Sequence, residues 1–147
     1  MSTEKLLAPI KKFLQCETPQ SWIDEAIEPD NLPNLLRDHA NCELKAAQTA
    51  MLLLRRYAVD RQSSDALLEW LKPYEDFVYR KIGNGDFSNY ISLSKKLISK
   101  SDFEHGDDLI DKMVLLIKEE LHHFQQVWEI MQSRGVTHDN ISASGYA

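Results

Sequence analysis

The apolar residues of this chain recur at every third or fourth position and nowhere alternate with polar ones, a pattern that predicts helices and no strands. Lys5 to Cys16 reads as a short amphipathic helix with Leu6, Leu7, Ile10, Phe13 and Leu14 on one side. Thr18 and Pro19 offer a cap and a first-turn proline for a second short helix through Trp22, Ile23, Ala26 and Ile27, closed by Pro29–Asn31. A long helix follows, from about Leu32 to Ala58. Ser63–Asp65 opens the next, through Leu67, Trp70, Leu71, Phe77 and Val78 to Ile82, with Pro73 expected to kink it or end its first part. Gly83–Asp86 is the strongest turn signal. Beyond it the pattern predicts a helix within residues 87–100, a polar loop over Ser101–Asp108, and a second long helix from about Asp107 to Arg134, capped by Gly135. The tail from Val136 is polar and has no helical pattern.

The two long helices carry the informative positions. At roughly 100° per residue, the stripe of the first holds Leu32, Leu35, Leu36, Ala46, Ala47, Ala50, Leu53, Leu54 and Tyr57, with His39 and Glu43 in its middle. The second has Leu109, Met113, Leu116, Ile117, Phe124, Val127 and Met131 on its stripe, with Glu120 at the centre. Two Glu-x-x-His pairs overlap there, Glu119 with His122 and Glu120 with His123. A Glu and a His three residues apart project from the same side of a helix and form a two-pronged metal claw. Glu120 is central and His123 lies toward one edge, whereas Glu119 is about 100° off and His122 roughly opposite. The inward claw is therefore Glu120 with His123.

Composition narrows the class without changing the helices. A chain of 147 residues suits one domain and buries roughly two-thirds of its unfolded surface. The sequence is read as one all-α domain over residues 1–147. No apolar run is long enough to span a membrane and Met1–Pro9 has no signal-peptide core, so a cytoplasmic protein without a membrane partner is expected. Cys16 and Cys42 are too few for a disulfide framework and read as buried small apolar groups. The net charge of −6 argues against a nucleic-acid footprint over the whole surface and leaves room for a local basic patch. Arg55-Arg56 and Lys95-Lys96 are able to touch phosphate, although such pairs are ordinarily solvated charges. Trp70, Tyr74 and Phe77 are able to stack on a base, although at helical spacing they are ordinarily core.

Glu43, Glu120, His39 and His123 on apolar stripes cannot all stand unpaired, because one uncompensated buried carboxylate costs several kcal/mol. Shifted pKa values, mutual hydrogen bonds or a bound metal each resolve the conflict. Carboxylate and imidazole without thiolate suit iron or manganese better than a closed zinc site. In four-helix carboxylate proteins two helices give one Glu each and two give Glu-x-x-His, enclosing two metals. Glu43 with the Glu120/His123 claw is one half of such a set.

Leu36–Ala50 (LRDHANCELKAAQTA) and Lys118–Val127 (KEELHHFQQV) closely resemble the bacterial tRNA 2-methylthio-isopentenyladenosine hydroxylase family, as do the region from Pro9 to Trp22 and the closing Ser142–Ala147. The resemblance covers nearly the whole chain. It implies a ferritin-like bundle with a non-haem di-iron site, two irons per complete site. Such enzymes use dioxygen and an external electron donor, a reductase the sequence does not name, to hydroxylate the isopentenyl group of the modified adenosine beside the anticodon of tRNA. On this resemblance Glu43, Glu120 and His123 match iron ligands, Glu120 as a bridge. Asp38 and His39 match none, and His39 is taken as a residue beside the ligands or in the core. Family members continue past the closing segment with two more long helices carrying a second Glu and a second Glu-x-x-His. The expected bundle is thus incomplete, and the chain is expected to be the N-terminal part of a longer hydroxylase. The alternatives are a homodimer in which two copies supply the full set, and a non-catalytic helical module with a structural cluster.

Overall fold

A computed structural model of the chain describes residues 3–101 and 106–137. Positions 102–105 of the expected polar loop, and the tail beyond Thr137 with its closing Ser142–Ala147, lie outside the described residues. Among the described residues there are five α-helices: α1 (Thr3–Phe13), α2 (Gln20–Ala26), α3 (Leu32–Leu53), α4 (Arg61–Glu75) and α5 (Gly106–Ser133). Among the described residues there is no strand, only an isolated antiparallel bridge between Val59 and Ser99. The fold is all-α, as the apolar spacing requires.

Residues up to Leu35 form one compact unit and those from Leu36 another. In the first unit, Leu6, Leu7, Ile10, Phe13 and Trp22 keep large exposed surfaces, and Cys16 is exposed rather than buried as expected. The second unit has the core. α3 presents Ala40, Leu44, Ala47 and Met51, α4 presents Leu67, Trp70, Leu71 and Tyr74, and α5 presents Ile110, Ile117, Leu121, Phe124 and Met131, all buried in one cluster. Side-chain bonds fix the directions. Gln48 Nε2 donates to Glu75 at 2.8 Å and Arg55 Nε to Ser64 Oγ at 2.9 Å, so α4 runs antiparallel to α3. Arg37 Nε donates to the Thr137 carbonyl at 2.9 Å, which runs α5 antiparallel to α3 as well. At the end of α4 the rings of Tyr74 and Phe87 stack at 4.3 Å, and Phe124 meets both edge-on. Trp70, Tyr74 and Phe77 therefore belong to the core and its edge, the ordinary reading of their spacing.

Several local expectations are corrected. Residues 87–100 hold only a single 3-10 turn, Ser88–Tyr90; their apolar side chains go into capping the core instead, with Leu97 buried and the Tyr90 carbonyl accepting the Trp70 indole at 2.8 Å. α4 starts two residues earlier than expected because Asp60, not Ser63, is the cap, accepting from the Ser63 amide at 2.8 Å. Pro73 does not end α4, which runs on to Glu75 and then widens into a π-turn, Asp76–Arg80. α3 likewise widens at its end, over Leu54–Ala58. Asp107 and Asp108 lie in the first turn of α5 rather than in a loop, where carboxylates complement the helix dipole. Gly135 closes α5 with a φ of 65°, and the Val136 amide reaches back to Met131 at 2.9 Å, the expected left-handed cap.

The larger correction concerns which face is buried. The buried positions of α3 are centred about 80° round from the predicted stripe, because Ala40, Leu44 and Met51 face the core and the apolar side bearing Glu43 does not. On α5 the rotation is smaller and brings in Leu121. Each long helix has two apolar faces, and α4 covers only one.

Candidate metal centre

Glu43 lies near the middle of α3 and Glu120 and His123 one turn apart on α5, none of them among the residues of the core cluster. Antiparallel packing brings them level. One donor atom from each of Glu43, Glu120 and His123 lies within 4.8 Å of the others, the one such grouping of three among the described residues. Glu119 and His122 are exposed and take no part.

The cluster is half-open, not interior as the sequence pattern suggested. The Glu43 side chain keeps 16% of its exposure, that of His123 50% and that of His39 59%. Glu43 is the hub: Oε1 meets His39 Nε2 at 2.7 Å and Oε2 faces His123 Nδ1 at 3.5 Å. His39, on the turn before Glu43, touches the cluster through that carboxylate and is not a core residue. Burial pushes the Glu120 carboxyl above the ordinary 4.5; a hydrogen bond to Glu43 and the like charge of that carboxylate add to the rise, and His123 opposes it. Two carboxylates and an imidazole at this spacing favour sharing a proton or replacing it with a cation. The donor set fits a hard or borderline metal of the iron or manganese kind, and the open side leaves space for further ligands.

Beside the cluster an apolar groove runs along the same face, lined by Cys42, Ala46, Thr49 and Leu53 of α3 and Met113 and Leu116 of α5, with a volume of about 560 Å³. Cys42 is half-buried in this lining rather than in the core. The sequence reading did not single out the groove, although the spacing 42, 46, 49 and 53 marks one side of α3. Leu53 and Leu116 remain 47% and 41% exposed, so an apolar surface surrounds an incomplete ligand set. No helix among the described residues is long and apolar enough to cross a membrane.

Comparison with known proteins bears on what such a cluster is for. A family model described as tRNA-(MS2IO6A)-hydroxylase (MiaE) matches residues 5–147. The chain is similar to a Salmonella typhimurium (strain LT2) protein named tRNA 2-(methylsulfanyl)-N(6)-isopentenyladenosine(37) hydroxylase, 52% identical over 148 residues that cover 100% of this chain and 55% of the relative. It is also similar to a Pseudomonas putida (strain KT2440) protein of the same name, 30% identical over 142 residues covering 97% of this chain and 46% of the relative. The chain spans about half the length of these curated relatives. No solved structure matches it.

Proposed function

Because the chain belongs to the tRNA-(MS2IO6A)-hydroxylase family, we propose that it carries half of the metal centre of a tRNA hydroxylase, acting in the cytoplasm on the isopentenyl group of 2-methylthio-isopentenyladenosine beside the anticodon. The observation that carries this reading is the convergence of Glu43, Glu120 and His123 within 4.8 Å on an open apolar face. The three would hold iron, which when bound would supply the redox chemistry that dioxygen needs to attack an allylic C–H bond. In the overall reaction one oxygen atom enters the C–H bond. The other leaves as water with two protons and two electrons, the electrons from an external reductase.

The chain's own residues have three tasks. Glu120 must give up its raised proton to the solvent before a cation takes that position, so metal uptake rises with pH. His39 holds Glu43 by its Oε1 and so orients the other oxygen toward the ligand position. The groove beside the cluster offers apolar walls for an isopentenyl chain, and a nucleotide in an anticodon loop reaches such a pocket without opening a duplex. A complete site needs three further ligands. They come from the remainder of a longer polypeptide, of which this would be the N-terminal part, or from a second copy of the chain. The exposed Leu53 and Leu116 beside the half-set favour some covering protein in either case.

Metal analysis after iron loading tests the assignment. Glu120→Ala should abolish iron retention while Glu119→Ala leaves it unchanged; equal loss in both sinks the choice of claw. Sedimentation run with the same samples separates the two sources of ligands, since a monomer that holds no iron excludes completion by a second copy. Nucleoside analysis of tRNA from cells lacking the hydroxylase then asks whether the protein adds an oxygen atom to the isopentenyl adenosine.

A further inference from the structure

The antiparallel bridge between Val59 and Ser99 does more than tie two loops together. It seats the basic segment 95–100 against the basic π-turn that ends α3: the Lys100 amide donates to the Ala58 carbonyl and the Asp60 amide to the Ile98 carbonyl, both at 3.0 Å. Lys100 Nζ then donates to the Arg56 carbonyl at 2.7 Å, and the Ile98 amide to Ser63 Oγ at 2.9 Å. Arg55, Arg56 and Arg61 flank the junction of α3 and α4, the paired segment brings Lys100 to it, and Lys95 and Lys96 lie just before that segment in the chain, Lys95 beside Ala66 and Trp70 of α4; together they are six of the 17 Lys and Arg in a chain of net charge −6. Among the described residues none of the six is ion-paired with a carboxylate, whereas Lys72 and Arg80 both hold Asp76 and Lys112 holds Asp108. Arg56, Arg61, Lys95 and Lys96 are exposed, and the guanidinium of Arg56 lies 5.4 Å from the centre of the exposed Tyr57 ring. The acidic groups near these cations among the described residues are Asp60, whose carboxylate is engaged by the Ser63 amide, Asp65, one turn along α4 from Arg61, and Glu69, which lines a cavity with Lys95.

We propose that this basic end is a phosphate-backbone site for RNA, through which the substrate tRNA is held while one nucleotide reaches the Glu43/Glu120/His123 cluster. The proposal rests on the hydroxylase reading for its choice of RNA. Unneutralised cations gathered on an acidic protein attract polyphosphate selectively to that spot, and the remaining surface repels it. Position also fits. Twelve residues separate Arg55 from Glu43 on one helix, about 18 Å at ~1.5 Å per residue. At ~3.4 Å per nucleotide of strand that is about five phosphates, the scale of a loop and the first steps of its stem. The paired loops make the patch rigid, so it selects an orientation rather than merely adding charge.

Fluorescence anisotropy with a labelled, unmodified anticodon stem–loop RNA, repeated over a salt series, tests it. The quadruple variant Arg56→Gln, Arg61→Gln, Lys95→Gln, Lys96→Gln leaves the Lys100 and Arg55 bonds in place. It should weaken binding on the order of 100-fold at low salt and cut the slope of log K against log salt by about three. Each single variant should remove about one from the slope or slightly less. Lys112→Gln, a cation paired elsewhere, should change neither, and thermal unfolding should coincide for all. A quadruple variant that binds within twofold of the parent with the same slope overturns the proposal, as does a parent that binds no RNA. Iron retention keeps the two ideas apart: it should survive the quadruple variant, and its failure to respond to Glu120→Ala would count against the hydroxylase reading while leaving RNA affinity untouched.

Discussion

On the side of α3 and α5 that meets α4, Leu44, Met51, Ile117, Phe124 and Met131 are fully or almost fully buried among aromatic rings. Round from it on the same two helices, Leu53 and Leu116 stay nearly half exposed, and Glu43, Glu120 and His123 converge beside apolar neighbours. The first face holds the fold, and the second forgoes burial to keep ionisable groups where a cation and a substrate can reach them. Stability and function are thus separated by about a quarter-turn of helix, and substitutions on the two faces should behave differently.

The sharpest break of that comparison is Phe124→Ala. Its ring contacts Tyr74 and Phe87, and its removal should cost about 3–5 kcal/mol of unfolding free energy in a denaturant titration. Glu120→Ala, one turn away, should change the metal-free stability by less than about 0.5 kcal/mol while removing iron. Next comes Gly85, whose φ is 78° and where an added Cβ would lie 2.3 Å from the Trp128 indole nitrogen. Gly85→Ala should destabilise by about 1–3 kcal/mol, a cost set by overpacking at the core edge and by backbone strain. A smaller effect belongs to the open face. The raised Glu120 carboxyl binds more protons folded than unfolded, so metal-free stability should fall as pH rises from 4.5 through the raised value. Glu120→Gln should flatten that fall, as measured by urea midpoints at several pH values. Smallest of all is Leu53→Ala, which should cost under about 0.5 kcal/mol if nothing covers the groove. A core-sized loss that grows with protein concentration would instead reveal a second copy on that face.

The helices themselves were legible because apolar spacing in α3, α4 and α5 is strong and their ends are marked by Gly135, by Pro29–Asn31 and by the turn at Gly83–Asp86. The segment 87–100 misled for a physical reason. Leu93 and Leu97 have helical spacing, but they serve as separate plugs over the core, and the chain between them bends to pair Ser99 with Val59. Cys16 is exposed in the connection between α1 and α2, and Cys42 lies on the groove side of α3, because a small apolar residue type by itself does not set which surface it meets. The choice of Glu120 and His123 over Glu119 and His122 followed from periodicity, and one donor atom of each lies within 4.8 Å of one from Glu43.

What the sequence determined by itself is local and periodic: all-α structure, two long helices, and carboxylates and an imidazole sharing one stripe with apolar residues. These depend on the 3.6-residue repeat and on side-chain chemistry, which are written into neighbouring positions. Only the tertiary structure decided which of two apolar faces α4 would cover, because both faces satisfy the same pattern and the difference lies in shape complementarity between distant segments. That choice left the Glu43/Glu120/His123 face open. Pairing residues 58–60 with 98–100, some forty positions apart, likewise gathered cations that in the sequence were only scattered pairs.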